Sequence, residues 1–291
     1  MKRVVTIQDL SGIGKCSLAA ALPILSAMGA ECAVLPTALL SAHTAFPGYR
    51  FFDLTDRMSA MASHWRELGI RFDGVYTGYL GSAEQIPFVS SLVREYRSQG
   101  ALAVVDPAMA DGGELYAGLS PGFAQSLMDL CLCADVILPN LTEASFLLGL
   151  PYRGEDRSEA DLRDLLLRLA DRGIARPVLT GVSLRPDRIG VLAYDAGSGA
   201  FFRYENERLP LSCPGTGDVF ASAFTGAALR GLSTEDSLAL AVDFSLEALR
   251  KTAEDPDRVW YGTNFEAAIP GLIRMLEDRS AGAEAKKEPA R

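Results

Sequence analysis

Residues 215–226 read Gly215-Thr216-Gly217-Asp218-Val219-Phe220-Ala221-Ser222-Ala223-Phe224-Thr225-Gly226. Small and apolar residues alternate here at helical spacing, which predicts a buried helix that begins at or just before Asp218. The glycines at 215 and 217 leave the amides of residues 216–218 free to point at an anion, and the helix dipole adds to the attraction. The stretch therefore predicts an anion site at the amino terminus of a buried helix.

An aspartate stands at this predicted anion site. Acidic residues commonly cap the amino termini of helices, so Asp218 has a purely structural explanation. A carboxylate beside an anion is electrostatically unfavourable, however, unless it takes a proton from the group that attacks the anion. That is the chemistry of phosphoryl transfer to an alcohol, and the motif indicates this chemistry.

Upstream of this motif, short β-branched strands alternate with helical stretches. The strands lie about 30 to 40 residues apart, the rhythm of βαβ units in a mostly parallel sheet. They are predicted at residues 4–7, 32–35, 74–77, 101–105, 136–138 and 177–180. Helices are predicted at residues 84–99 and 159–172, with Gly100 and Gly173 as C-caps and four leucines as the buried stripe of the second helix.

The segment from residue 189 to residue 211 has a different pattern. Residues 191–194 and 200–204 flank a glycine-rich turn, which predicts a β-hairpin. Such an antiparallel pair is common at the edge of a parallel sheet in large α/β folds. Three helices are predicted after it, at residues 218–230, 233–252 and 265–278. We therefore predict an α/β fold with a mostly parallel sheet and an antiparallel edge hairpin.

The length of 291 residues allows one large domain or two small ones. No linker and no internal repeat divides the chain, so we predict a single domain over residues 1–279. Residues 280–291 are small and charged without an apolar period, which predicts a disordered tail.

The net charge of −9 argues against nucleic acid as a partner, because binding the phosphate backbone needs a basic face. A nucleotide stays compatible, since a few amides and one lysine can form a local anion site. No apolar run approaches the roughly 20 residues of a membrane span, and the first apolar run is too short for a signal peptide. The five scattered cysteines indicate reduced thiols, so we expect a cytoplasmic protein without a membrane partner.

A second glycine-rich segment follows the first predicted strand and reads Ser11-Gly12-Ile13-Gly14-Lys15-Cys16-Ser17. It fails the P-loop pattern, which requires glycine where Asp9 stands and Ser or Thr where Cys16 stands. It also fails the dinucleotide fingerprint, because Ser17 occupies the position of the third glycine. Two interpretations stay open: a flexible strand-to-helix turn, or a turn that lets a substrate approach the backbone.

Taken in order, the motifs resemble those of the ribokinase-like superfamily and, within it, the pyridoxal kinases. The block Thr77-Gly78-Tyr79-Leu80-Gly81-Ser82 is specific to kinases of B6 vitamers, whereas the Gly215–Asp218 block is shared by the superfamily. The other matching stretches are Ser41-Ala42-His43-Thr44, Asp106-Pro107-Ala108-Met109-Ala110-Asp111 and Pro139-Asn140-Leu141-Thr142-Glu143. The resemblance runs from residue 1 to about residue 275. It implies a three-layer fold, a homodimer, and ATP-dependent phosphorylation of the 5'-hydroxymethyl group of pyridoxal, pyridoxamine or pyridoxine.

The resemblance implies a role for each matching residue on the ATP side. Asp218 would be the catalytic base, and its anion hole would consist of Gly215, Thr216 and Gly217. The residues that would hold Mg²⁺ and the ATP phosphates, the cation largely through water, are Asp106, Asp111, Asn140, Glu143 and Thr180, with Asp106 and Glu143 assigned to the metal. K⁺ is a further candidate cation, and the stretch 109–118 would be a flap over ATP. Asp106-Pro107 also fits a strand-ending turn, and Asn140 with Glu143 also fits a capping box.

On the vitamer side, the resemblance implies ring contacts by His43, Thr44 and Tyr79, although a lone histidine is as often structural. Asp9 departs from the pattern, because many pyridoxal kinases have a serine there that contacts the pyridine ring. An aspartate nearby is also similar to hydroxymethylpyrimidine phosphate kinases of thiamine synthesis, so that activity is the first alternative. A sugar or nucleoside kinase comes next, and a vitamer-binding protein without catalysis is the alternative from another class.

Overall fold

The computed structural model describes residues 1–285, in which strands and helices alternate along the chain. The strands are β1 (Lys2–Ser11), β2 (Ala30–Leu40), β3 (Phe51–Asp53), β4 (Gly74–Thr77), β5 (Leu102–Val105), β6 (Ala110–Asp111), β7 (Glu114–Leu115), β8 (Val136–Ile137), β9 (Val178–Val182), β10 (Arg188–Asp195) and β11 (Ala200–Glu207). The helices are α1 (Ser17–Ala27), α2 (Thr55–Glu67), α3 (Gln85–Ser98), α4 (Pro121–Cys131), α5 (Leu141–Leu148), α6 (Glu159–Asp171), α7 (Thr216–Leu229), α8 (Thr234–Glu254) and α9 (Phe265–Ala285).

The central sheet has the strand order β3-β2-β1-β4-β5-β8, in which all neighbours are parallel except β3, which pairs antiparallel with β2 at one edge. The strands β11-β10-β9 form an antiparallel sheet. A bridge between Ile137 and Pro177 joins this sheet to β8 at the other edge. The predicted α/β fold, with a mostly parallel sheet and an antiparallel edge hairpin, is confirmed.

Two apolar clusters fill the spaces on the two faces of the central sheet. Successive residues of β1 belong to different clusters: Val5 and Ile7 pack against α2–α6, and Val4 packs against α1, α7, α8 and α9. Strands buried on both faces are the arrangement that parallel sheets require, which explains why these strands read as continuous apolar runs. The sheet between two helical layers is the three-layer architecture that the resemblance implied.

The predicted helix ends follow from local chemistry. Gly100 and Gly173 follow α3 and α6 with φ angles of 96° and 105°, values that a glycine adopts without steric cost. The buried residues of α6 are the four predicted leucines, Leu162, Leu165, Leu166 and Leu169.

The last helix, α9, extends to Ala285, beyond the end predicted at residue 278. Residues 280–285, predicted as the start of a disordered tail, are therefore helical. Alanine and glutamate, which favour helices, predominate in this stretch, and an ion pair between Arg279 and Asp243 holds the preceding turn against α8. The rest of the predicted tail lies outside the described residues. Across residues 1–285, no helix combines the length and apolar character of a membrane span.

Gly190 lies in β10, directly opposite Glu205 of β11. A Cβ atom at this position would lie 2.0 Å from the carbonyl oxygen of Tyr204, a backbone atom that cannot rotate away. The register of β10 against β9 also shifts between Gly190 and Val191.

We expect Gly190→Ala to lower the free energy of unfolding by about 2 kcal/mol, because the two strands must separate to admit the methyl group. Denaturant unfolding measures the change. Gly271→Ala in α9 is the matched control, since its Cβ would meet nothing closer than Glu247 Cγ at 3.8 Å. That variant should be as stable as the wild type or slightly more stable. Equal stability of both variants would contradict the argument.

Candidate active site

A cavity of about 1080 Å³ opens at the carboxyl ends of the parallel strands. Clefts at this edge are the usual binding sites of open α/β sheets. The cavity brings together every site residue predicted from the sequence: Asp9, His43, Thr44, Tyr79, Asp106, Asp111, Asn140, Glu143, Thr180, Gly215, Thr216, Gly217 and Asp218. Their roles stay predictions, whereas their convergence on one cavity is a structural fact.

The glycine-rich turn before α7 has the geometry that its sequence predicts. The helix begins at Thr216, and Gly215 precedes it in the left-handed region with φ at 77°. A Cβ at Gly215 would lie 2.1 Å from the carbonyl oxygen of Lys15, so only glycine fits there. The Thr216 hydroxyl donates a 2.8 Å hydrogen bond to the Cys213 carbonyl, which closes the turn. The turn therefore rests directly on the backbone of the segment before α1.

Asp218 lies in the first turn of α7, at the positive end of the helix. Burial raises the pKa of its carboxyl group to about 7, with a further upward contribution from Asp9, while the backbone amide of Ser17 donates to the carboxyl and opposes the rise. A carboxyl group with a pKa near 7 is matched to proton transfer at neutral pH. Asp218 is thus chemically suited to be a general base.

Asp106 and Glu143 form a second acidic group in the same cavity, and both are buried. Burial raises both pKa values, and each carboxyl has an acidic neighbour that raises its pKa further: Asp218 for Asp106, and Asp106 for Glu143. Neither takes part in any ion pair within the described part of the chain. Two neighbouring carboxyl groups that are buried without an ion-pair partner are suited to bind a cation. Among residues 1–285, however, no three His, Cys, Asp or Glu side chains lie close enough together to ligate a metal directly.

Glu143 also serves the fold. Asn140 caps α5 by accepting a 2.9 Å hydrogen bond from the Glu143 amide, and Glu143 Oε2 accepts a 2.8 Å bond from the Asn140 amide. This is the capping box predicted from the spacing of the two residues. Glu143 Oε1 accepts a further bond, of 3.2 Å, from the amide of Met109. The same carboxylate therefore holds the start of α5 and the start of the 109–118 segment.

The predicted flap over residues 109–118 is a short hairpin of β6 and β7. Its turn consists of Gly112 and Gly113, whose φ angles of 58° and 89° suit glycine. The Asn140 side chain donates a 2.8 Å hydrogen bond to the Ala110 carbonyl and so anchors the hairpin to α5. Asp111 is exposed on β6, and Tyr116 follows β7 with its phenol close to the carboxyl groups of the site.

The other end of the cavity contains the residues predicted to contact a vitamer ring. Asp9 is buried at the end of β1, accepts a 3.0 Å hydrogen bond from Ser11 Oγ and does not cap α1, whose N-cap is Cys16. Burial raises the pKa of the Asp9 carboxyl and raises the pKa of Tyr79 to about 12. An acid and an un-ionised phenol therefore face the same space.

His43 lies at this end of the cavity in an aromatic environment. Its Nδ1 accepts a 3.2 Å hydrogen bond from the Ala45 amide, and burial lowers its pKa. The ring is therefore neutral, with its proton on Nε2. Its centroid lies 5.0 Å from that of Phe46 and 5.8 Å from that of Trp260. Thr44, the next residue, is half-buried in the cavity lining.

Sequence reasoning missed several lining residues. Cys16 and Ser17 belong to the second glycine-rich segment, whose sequence is compatible with either a turn or a substrate contact, and Tyr116 belongs to the predicted flap. Four residues of α8 also line the cavity: Val242, Ser245, Leu246 and Leu249. Their helical spacing is also that of a core-facing stripe, so no sequence signal distinguishes them from core residues.

Comparisons with known proteins agree with this geometry. Residues 14–258 match the family described as phosphomethylpyrimidine kinase. A solved protein from Bacteroides thetaiotaomicron, assigned as a phosphomethylpyrimidine kinase and crystallised with pyridoxal, is 37% identical with a TM-score of 0.88, covering 93% of this chain and 95% of its own. A pyridoxal kinase from Lactobacillus plantarum is 32% identical with a TM-score of 0.85, covering 96% and 99%.

A curated relative lies further away in sequence. The pyridoxine/pyridoxal/pyridoxamine kinase of Bordetella avium is 28% identical over 263 residues, which are 86% of this chain and 85% of that protein. The resemblance to pyridoxal kinases inferred from the motifs is thereby confirmed. The chain belongs to the phosphomethylpyrimidine kinase family.

Proposed function

We propose that the protein transfers the γ-phosphoryl group of ATP to the 5'-hydroxymethyl group of a B6 vitamer. The observation that carries this proposal is the half-buried carboxyl of Asp218 in the first turn of α7, at the positive end of the helix, where desolvation raises its pKa to about 7. The Bordetella avium relative is named a kinase of three such vitamers, and the Bacteroides thetaiotaomicron protein was crystallised with pyridoxal. Both findings support a B6 vitamer as the alcohol.

In the proposed reaction, Asp218 accepts the proton of the hydroxymethyl group while its oxygen attacks the γ-phosphorus. A bond between that oxygen and phosphorus forms, the bond from phosphorus to the leaving oxygen of ADP breaks, and the proton stays on Asp218. The amides of residues 216–218 would stabilise the charge of the transferring group, because they lie at the positive end of α7. Asp218 thus supplies the base and the preceding turn supplies the anion hole.

Asp106 and Glu143 would hold Mg²⁺ through water, since their two buried carboxyls supply charge while no direct three-ligand site is formed in residues 1–285. A bound Mg²⁺ neutralises phosphate charge during transfer. Asp111, Asn140 and Thr180 would face the phosphates from the β6–β7 hairpin, α5 and β9. K⁺ is an additional activating cation to be tested by leaving it out of the assay. The hairpin would exclude water, so that transfer to the alcohol exceeds hydrolysis.

Phosphorylation of hydroxymethylpyrimidine is the second candidate activity. The family description and the buried Asp9 favour this activity, whereas Tyr79 and the surrounding residues 77–82 favour a B6 vitamer. ATP turnover measured in parallel with pyridoxal, pyridoxamine, pyridoxine and hydroxymethylpyrimidine decides between them. Turnover with none of the four would contradict the proposal and leave a vitamer-binding protein.

The resemblance to pyridoxal kinases also supports a cytoplasmic homodimer.

Asp218→Asn should lower kcat by about 10²-fold or more and leave the KM for ATP nearly unchanged, because the amide cannot accept the proton. Steady-state kinetics measure both constants. Asp171→Asn, an exposed position at the end of α6, is the control and should keep kcat within about twofold of the wild type. A kcat within a few-fold of wild type in Asp218→Asn, with a raised KM, would make Asp218 a binding residue.

The rate should depend on pH through the same carboxyl group. Asp218 must be deprotonated to act, so kcat/KM is expected to fall as pH drops below about 7 and to level off above it. The profile is measured with two vitamers of different ionisation. If kcat/KM falls at the same pH with both vitamers, the titrating group belongs to the enzyme. If the pH of the fall changes with the vitamer, the titrating group belongs to the substrate, which contradicts the assignment to Asp218.

Asp9 should influence the choice of vitamer. A carboxylate near the ring favours a protonated nitrogen or an amine, so Asp9→Ser is expected to lower the kcat/KM ratio of pyridoxamine to pyridoxal about fivefold, on the order of 1 kcal/mol. Pyridoxine, whose substituent is uncharged, serves as the reference substrate. Ratios that stay constant would remove Asp9 from substrate choice, and activity gained only on hydroxymethylpyrimidine would overturn the vitamer assignment.

A further inference from the structure

The loop between β4 and α3 brings Tyr79 to the cavity, and side chains of β2 and α3 hold the backbone of this loop. The Thr37 hydroxyl of β2 donates a 3.0 Å hydrogen bond to the Tyr79 carbonyl. Two residues later, the Gly81 amide donates a 2.9 Å hydrogen bond to Oε1 of Gln85, the first residue of α3. The loop is therefore held at Tyr79 and again at Gly81.

The Gln85 side chain is completely buried, and its amide group connects the loop to the edge of the sheet. Its Nε2 donates a 2.9 Å hydrogen bond to the Thr37 carbonyl and a 3.0 Å hydrogen bond to Oγ1 of Thr55, the first residue of α2. With Gly81 bonded to Oε1, the amide uses its oxygen and both N–H groups. A rotated amide would place donor against donor at Gly81 and oxygen against oxygen at Thr37, so these contacts require one orientation.

Helix capping is the simpler explanation of the Gln85 side chain. A glutamine or glutamate at the start of a helix often accepts a hydrogen bond from a preceding backbone amide. Capping uses only Oε1, however, and gives no role to the two bonds that Nε2 donates to β2 and α2. One of them ends at Thr37, the residue that also binds the Tyr79 carbonyl. The contacts thus form a closed ring from Gln85 through Thr37 and the loop back to Gln85.

We propose that Gln85 is a positioning residue, which together with Thr37 sets the place of Tyr79 in the cavity and thereby the affinity for the vitamer. Tyr79 lines the cavity, whereas Gln85 lies outside the cavity lining. Its effect on a vitamer therefore passes through the loop. The inference rests on the proposed function, because it takes a B6 vitamer as the ligand that Tyr79 contacts.

Two variants of Gln85 separate positioning from capping. Gln85→Leu removes all the hydrogen bonds of the amide, and Gln85→Glu keeps an acceptor for Gly81 but cannot donate to Thr37 and Thr55. Both are expected to raise the KM for pyridoxal about tenfold, with the KM for ATP within about twofold of the wild type. The Kd for pyridoxal, from calorimetric titration without ATP, should rise by the same factor. Pyridoxal affinity of Gln85→Glu equal to that of the wild type would reduce Gln85 to a helix cap.

A double-mutant cycle tests whether the effect passes through Tyr79. Tyr79→Ala should raise the Kd for pyridoxal. Adding Gln85→Leu to it should change that Kd by no more than about twofold, because the contact that Gln85 positions is already absent. Effects of the two substitutions that multiply in full would overturn the proposal.

Thr37 provides a second test, which disturbs the fold less. Thr37→Val keeps the shape of the side chain and removes the hydroxyl bound to the Tyr79 carbonyl, so the KM for pyridoxal should rise about threefold. Thr37→Ser keeps a hydroxyl and should stay within about twofold of the wild type. Val93→Ala is the control for lost stability, because Val93 is a buried apolar residue of α3 without a polar side-chain atom. It should lower the melting temperature by a few degrees and leave both KM values within about twofold.

A KM for pyridoxal in Gln85→Leu within twofold of the wild type would overturn the role of Gln85 and leave the proposed function intact. An equal rise of this KM in Val93→Ala would also overturn it, since loss of stability alone would then explain the effect. If Gln85→Leu does not fold, equal KM values of Thr37→Val and Thr37→Ser overturn the proposal. A wild-type protein that phosphorylates none of the vitamers would instead overturn the proposed function.

Discussion

The burial of several carboxyl groups in one cavity is the constraint on which the rest of the structure depends. Asp106 and Glu143 are buried and Asp218 is half-buried at the edge of the sheet, and loss of contact with water raises the pKa of each carboxyl group. Buried acids are unfavourable unless hydrogen bonds or cations compensate them. The fold meets part of this cost with the backbone amides of Asn140 and Met109, which donate to Glu143, and the two apolar clusters supply the stability that offsets the remainder.

The position of the amides follows from the topology. Parallel strands end at one edge of the sheet, and each following helix begins there, so the positive ends of helices and the ends of strands share the same space. Asp9 and Asp106 come from strand ends, whereas Glu143 and Asp218 come from helix starts. Strand ends and helix starts therefore both contribute acids to the cavity, and the start of α5 also contributes the backbone amides of its capping box.

Much of this arrangement could be predicted from the sequence, for identifiable reasons. The apolar runs and their spacing predict the parallel sheet, and Gly215 with Asp218 predicts the start of α7, because short-range chemistry determines both. The close approach of Gly215 to the Lys15 carbonyl could not be predicted, since the two residues are distant in the chain. The lining residues of α8 carry the same apolar spacing as a core helix. Helix α9 continues to Ala285 because its last residues favour the helical conformation, although the apolar periodicity has ended before them.

The double use of Glu143 limits how such a protein can evolve. One carboxylate closes the capping box of α5 and holds the amide of Met109, so a drifting mutation there disturbs the helix, the hairpin and the proposed cation position together. In a descendant that has lost catalysis but still binds a vitamer, Glu143 would still be needed, because its loss would destabilise the fold. Divergence toward new alcohols is consequently easier at the vitamer end, around Asp9 and His43, than at the acids that also maintain the architecture.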